Sequence, residues 1–194
     1  GSLMWDLMKQ VCGAMGVRTN VPFCELTERE KDIVYNGPAV KKHIFYKAKN
    51  SNQAAELDFT YFNAVYTVEN ALAKLKRRGY RLAVASAKPT FYVTQIMDHF
   101  NLSRYFEVIA GTDLNGPKVS KSQVIEEALE RMSLSDHRDQ VIMVGDREHD
   151  ILGARRCGIQ CVAVSYGYGS REELEAAQPL QIVASADELL NFFD

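Results

Sequence analysis

The chain has 194 residues, 46% of them hydrophobic, and 23 Lys and Arg against 25 Asp and Glu, so it has enough apolar mass for a buried core and a formal net charge of −2. That balance argues against a broad nucleic-acid face or a basic membrane anchor, while a small anionic substrate stays compatible with charge gathered at one site. No stretch reaches the ~18 apolar residues of a membrane span, and Cys12, Cys24, Cys157 and Cys161 make neither a CxxC pair nor a metal-knuckle repeat, so free thiols in a reducing cytoplasm are expected.

In chain order, Leu3, Met4, Leu7, Met8, Val11 and Met15 recur at helical spacing and Gly16 stops the pattern, which predicts an amphipathic helix. Thr27 with Glu30 three residues on is a capping-box signature for a second helix, which Asn36-Gly37-Pro38 breaks. Further helical stretches over 38–48 and 52–65 would make residues 1–65 a small all-helical domain. The grammar then changes. A helix over 68–78 closes at Gly79, and the apolar run 80–85 opens onto Ser86-Ala87-Lys88-Pro89. Helices over 90–100, 122–132, 151–157, 170–177 and 186–193 alternate with short apolar strands over 106–110, 141–144, 161–164 and 182–183. Continuous apolar strands between helices predict an α/β domain over 66–194, a Rossmann-like parallel sheet with helices on both faces.

Ligands of such sheets bind at the carboxyl ends of the strands, so the polar residues just after each strand carry the interest. Three positions qualify: Ser86, Lys121 and Gly145-Asp146, the last with Asp150 four residues on. A hydroxyl with backbone N–H groups at a helix start suits a phosphate, and a lysine adds a point charge. Two carboxylates at the same rim suit Mg²⁺, which keeps several waters and needs few protein oxygens. Each residue alone has an ordinary reading: Ser86 as a turn residue, Lys121 as a solvated helix residue, Asp146 as the N-cap of the following helix. Together and in this order they predict a phosphate site.

At these residues the sequence resembles the haloacid dehalogenase superfamily, in its phosphoglycolate phosphatase-like and pyrophosphatase-like branch. Residues 80–89 look like the family's second motif, with Ser86 and the backbone at Ala87 on the phosphoryl group. Lys121 in Val119-Ser120-Lys121-Ser122 looks like the third motif, and Val144-Gly145-Asp146-Arg147-Glu148-His149-Asp150 like the fourth, which implies Mg²⁺ held by Asp146 and Asp150. Tyr166-Gly167-Tyr168-Gly169 resembles the branch's turn, and Gly37-Pro38 the cap loop that chooses the substrate. Arg147 and His149 are expected at solvent or in a cap. The resemblance implies a HAD-like core at 66–194 behind a shortened cap at 1–65, hydrolysing a small phosphorylated metabolite as a monomer or homodimer.

One motif of that family is not found: the apolar strand ending in Asp-x-Asp-Gly-Thr that supplies the aspartate nucleophile. Asp6 follows apolar residues but lies in an expected helix and lacks the second aspartate, and Leu57-Asp58-Phe59-Thr60 falls in the expected helical region. In the family that strand lies mid-sheet. Its loss would orphan backbone groups at ~1 to 3 kcal/mol each against a total stability of about 5 to 15 kcal/mol. Three resolutions are open: further sequence ahead of the chain, completion of the sheet by another segment or chain, or direct pairing of the strands at 80–85 and 141–144. By itself the chain is expected to have little phosphatase turnover, and a binding or regulatory pseudoenzyme is the alternative.

Overall fold

Leu7 and Val11 lie one helical turn apart on α1 (Leu3–Ala14), and both are buried, as the apolar spacing requires. The computed structural model describes residues 3–47, 54–117 and 119–194. Thr27 caps α2 (Glu28–Asn36) as its sequence predicts: Thr27 Oγ1 accepts from Glu30 N at 3.3 Å and Glu30 Oε2 accepts from Thr27 N at 2.8 Å. The same carboxylate is buried and takes Arg18 Nε and Nη2, each at 2.9 Å, and that guanidinium holds it well below the usual carboxylate range.

The two helical stretches expected at 38–48 and 52–65 are instead an antiparallel hairpin, β1 (Lys41–Lys47) and β2 (Ala54–Thr60), in register from Lys41↔Thr60 to Lys47↔Ala54. Residues 48–53 lie outside the described residues. Burial there alternates with period two rather than 3.6. Ile44 is buried opposite Leu57, while His43, Glu56 and Asp58 share the exposed face, with His43 Nδ1 3.0 Å from Asp58 and Nε2 3.3 Å from Glu56. Asp58 is thus a strand residue paired with a histidine. Tyr61 follows the hairpin, 2% exposed, and donates its hydroxyl to the Ile33 carbonyl at 2.6 Å.

These elements form one compact unit, Gly1–Asn70, and a second spans Ala71–Asp194, so the division falls inside α3 (Ala64–Arg77) rather than at residue 65. In the second unit the predicted alternation forms: β3 (Ala83–Pro89), α4 (Thr90–His99), β4 (Val108–Thr112), α5 (Lys121–Arg131), β5 (Ile142–Gly145), α6 (Glu148–Arg156), β6 (Gln160–Val164), α7 (Arg171–Ala177), β7 (Gln181–Val183) and α8 (Ala186–Phe192). All the pairings are parallel, but they make two sheets, β3-β4 and β5-β6-β7. Among the described residues β3 and β5 do not pair, so direct pairing is not how this chain completes its sheet.

Helix α5 joins the two sheets. Val124 and Ala128 of α5, with Met132 at its C-cap, pack with Val108 and Ala110 of β4, while Ile125 and Leu129, one residue round the helix, pack with Ile151 and Ala154 of α6 and Cys161 of β6. At the opposite end of the strands Arg78 donates to the Leu190 carbonyl at 2.8 Å and Tyr80 to that of Phe193 at 3.0 Å, which fixes α8 beside the start of β3.

Two outcomes follow from this packing. Tyr61→Phe removes one hydrogen bond to a carbonyl that Gly37 N also reaches at 2.9 Å, so it should cost about 1 kcal/mol, read as a lower urea midpoint; an unchanged midpoint would mean the hydroxyl contributes nothing. Burial pushes the thiols of Cys157 and Cys161 up to about 11 and about 12, whereas Cys24 is exposed. Iodoacetamide at pH 8 should therefore modify Cys24 first and leave Cys157 and Cys161 intact in the folded protein, as peptide mass mapping would show.

Candidate active site

The site is built at the carboxyl ends of β3 and β5 by the first turns of α5 and α6. Ser120 N-caps α5 with its hydroxyl toward Gln123 N and so sets Lys121 at the first helical position. From there Lys121 Nζ donates to the Ala85 carbonyl of β3 at 2.6 Å and lies 2.8 Å from Asp150 Oδ1. Asp150 Oδ2 accepts from the Asp146 and Arg147 amides, at 3.0 and 3.2 Å. One short network therefore ties the end of β3, the start of α5 and the turn after β5, and it brings Lys121, Asp146 and Asp150 together with Ser86 as the next residue after Ala85. The Lys121 and Asp150 side chains are only 15% and 11% exposed, so the pair sits in low dielectric with every strong group matched.

The two aspartates divide their work. Asp150, not Asp146, caps α6 by accepting the two amides, so the ordinary reading of Asp146 as an N-cap is not what forms. Asp146 is half-buried and instead accepts the Tyr168 amide on Oδ2 at 2.8 Å, while its own carbonyl accepts from Gly169 N at 2.9 Å. Glycine is required on both sides of this contact: a Cβ at Gly145 would run into the Asp150 carboxylate, and one at Gly167 into that of Asp146. Ser86 falls within β3, whose register shifts between Ala85 and Pro89, and its hydroxyl accepts from Lys88 N at 3.2 Å in a tight turn with Ala87 exposed. Gly37 and Pro38 belong to the other unit. There Gly37 ends α2, buried, with its carbonyl accepting from Asn63 Nδ2 at 2.8 Å, and Pro38 is exposed.

Arg147 and His149 behave as expected, one paired with Glu173 Oε1 at 2.7 Å and the other exposed. Glu173 also takes the Glu148 amide at 2.9 Å, a cap role the sequence reading did not assign. The Tyr168 amide on Asp146 was missed too. Its only sequence signal was the Gly-Tyr-Gly spacing, which marks a close backbone approach without saying to what. Among the described residues no group of three or more His, Cys, Asp and Glu side chains is arranged to hold a metal ion. A Mg²⁺ ion, which takes one or two carboxylates and keeps its waters, suits the half-buried Asp146 better than Asp150, whose two oxygens are already bonded within the chain.

A model of the haloacid dehalogenase-like hydrolase family matches residues 8–164. The chain belongs to that family. A 5'-nucleotidase of Pseudomonas aeruginosa is 38% identical over 125 residues, covering 64% of this chain and 56% of that protein. Phosphoglycolate phosphatase of Escherichia coli K12 is 30% identical over 63% of this chain and 48% of its own length, and tyrosine-protein kinase PtkA of Mycobacterium tuberculosis is 38% identical over 61% and 40%. Among solved structures, a predicted phosphatase from Clostridium acetobutylicum superimposes with a TM-score of 0.63 at 39% identity, covering 70% of this chain and 60% of that one. A haloacid dehalogenase-like hydrolase from Streptococcus pneumoniae gives a TM-score of 0.60 at 28% identity, over 72% and 61%. The chain spans about half the length of the curated relatives it matches.

Lys121→Met would leave Asp150 buried beside an apolar side chain and should destabilise the folded state by about 3 kcal/mol in urea unfolding. Arg171→Ala, which breaks an ion pair whose partners are 68% and 54% exposed, should cost under about 0.5 kcal/mol. Equal effects from the two substitutions would show that the Lys121 bridge is no more than a surface contact.

Proposed function

We propose that this chain carries the phosphate- and Mg²⁺-binding side of a phosphohydrolase acting on small phosphorylated metabolites, in the manner of phosphoglycolate phosphatase. The observation that carries the reading is the Lys121 bridge. By holding the Ala85 carbonyl and the Asp150 carboxylate at once, it puts an ammonium beside the residue before Ser86 and beside the carboxylate that accepts the Asp146 amide. Ser86 O–H and the backbone at Ala87 would hold phosphoryl oxygens, Lys121 would offset their charge, and Asp146 would hold the cation with Asp150 fixing the turn beneath it. When bound, Mg²⁺ supplies Lewis-acid stabilisation of the phosphoryl oxygens. Family resemblance makes the nucleophile an aspartate of an Asp-x-Asp-Gly-Thr strand, a motif that residues 1–194 do not contain. Its carboxylate would displace the alcohol from phosphorus, and water would then release inorganic phosphate from the acyl phosphate.

The names of the relatives support a phosphate-ester substrate without choosing one, because residues that select the leaving group, such as Gly37 and Pro38 in this reading, vary independently of the phosphate rim. A cytoplasmic setting agrees with the four free thiols, and no helix among the described residues is long and apolar enough to cross a membrane.

Turnover of p-nitrophenyl phosphate with Mg²⁺ tests the assignment. Residues 1–194 alone should stay at background, and a longer polypeptide carrying an Asp-x-Asp-Gly-Thr strand ahead of residue 1 should turn over. Ser86→Ala or Asp146→Asn in that longer polypeptide should lower the rate by about 100-fold or more. Turnover that survives both EDTA and Asp146→Asn would overturn the assignment.

A further inference from the structure

Asp146 is held at two points by the turn at 166–169 that follows β6. Tyr168 N donates to Asp146 Oδ2 at 2.8 Å, and Gly169 N donates to the Asp146 carbonyl at 2.9 Å. Side chain and main chain of one residue are thus tied to neighbouring amides of one turn. The approach is as close as the chain allows, because a Cβ at Gly167 would fall on the Asp146 carboxylate and one at Gly169 on the Asp146 carbonyl.

The two oxygens of that carboxylate are therefore unequal. Oδ2 is bonded, whereas Oδ1 has no hydrogen-bond partner among the described residues, and since no unpartnered side-chain oxygen is buried there, Oδ1 is open to solvent. To present both oxygens to one ion, the carboxylate would have to give up the Tyr168 amide, a charge-assisted bond. Asp150 does not make up the difference: its Oδ1 lies 2.8 Å from Lys121 Nζ and its Oδ2 accepts from two amides. Between them the two aspartates leave one oxygen free.

We propose that the turn at 166–169 is a cation-selectivity device: by occupying Oδ2, the Tyr168 amide makes Asp146 a one-oxygen ligand and favours Mg²⁺ over Ca²⁺. The proposal rests on the reading that Asp146 holds the cation. Ca²⁺ gathers about six to eight oxygens and readily takes both from one carboxylate, whereas Mg²⁺ takes few carboxylate oxygens and completes its octahedron with water. A carboxylate with one oxygen already engaged suits the second habit and not the first. Tyr168 acts here as a positioning residue through its main chain, since its side chain is 92% exposed and the donor is its N–H. Every residue except proline supplies that donor.

Paramagnetic broadening of backbone amide signals by Mn²⁺, an oxygen-seeking octahedral ion, tests this on residues 1–194 without any turnover. The Asp146 and Arg147 amides should broaden, and Mg²⁺ should reverse the broadening at a concentration about tenfold below that of Ca²⁺. Tyr168→Pro, which deletes the donor, should erase that preference of about tenfold, the weight of one hydrogen bond to a charged group. Tyr168→Ala, whose amide remains, should keep it. Gly167→Ala, which pushes the carboxylate off the amide, should act as Tyr168→Pro does, so the result does not hang on a proline being tolerated; unchanged amide shifts in α5 would show that each variant is folded. Equal reversal by the two ions in the unaltered chain would overturn the selectivity while leaving the cation site standing. So would a preference that Tyr168→Pro and Gly167→Ala both retain, or one that Tyr168→Ala also loses. Absence of Mn²⁺ broadening at Asp146 would overturn the cation site itself, and the selectivity with it.

Discussion

The second unit depends on one ammonium group. Lys121 is placed by a helix cap, reaches across to a main-chain carbonyl on β3 and pairs with an aspartate on α6, so a single side chain spans the two separate sheets at their carboxyl ends. Below it α5 continues the same task with apolar residues, one face on β4 and the next on β6 and α6. The polar bridge and the apolar seam are successive turns of one helix, which is why the rim geometry is as fixed as the core beneath it.

Much of the second unit could be read from the sequence because its signals are local and redundant. Apolar runs too short for helices and the stop at Gly79 point to the same alternation. That Lys121, Asp146 and Asp150 come together beside strand ends was legible in order, since position after a strand is a property of the chain. How Asp146 and Asp150 share their work was not. Residues four apart on one helix face look equivalent in sequence, and only the fold shows that Asp150 is turned back onto amides while Asp146 meets the Tyr168 loop.

The first unit misled for a physical reason. Residues 41–47 mix lysine, histidine and aromatics, so an apolar count over a helical window succeeds nearly as well as an alternating one. What decides for the hairpin is cross-strand pairing, Ile44 with Leu57 on the inner face and His43 with Asp58 on the outer, and no window over a single segment contains that information. The two-sheet arrangement was hidden in the same way. Each strand is plain in the sequence, but which strands are neighbours is a long-range property.

That Lys121 bonds a carbonyl of the main chain rather than a side chain at position 85 has a consequence for genetics. Every amino acid supplies the same acceptor there, so a mutational scan along β3 would report Ala85 as a question of size alone and would not register the electrostatic contact. The interaction can be edited from its lysine end only, and sequence variation at the strand carries no trace of it.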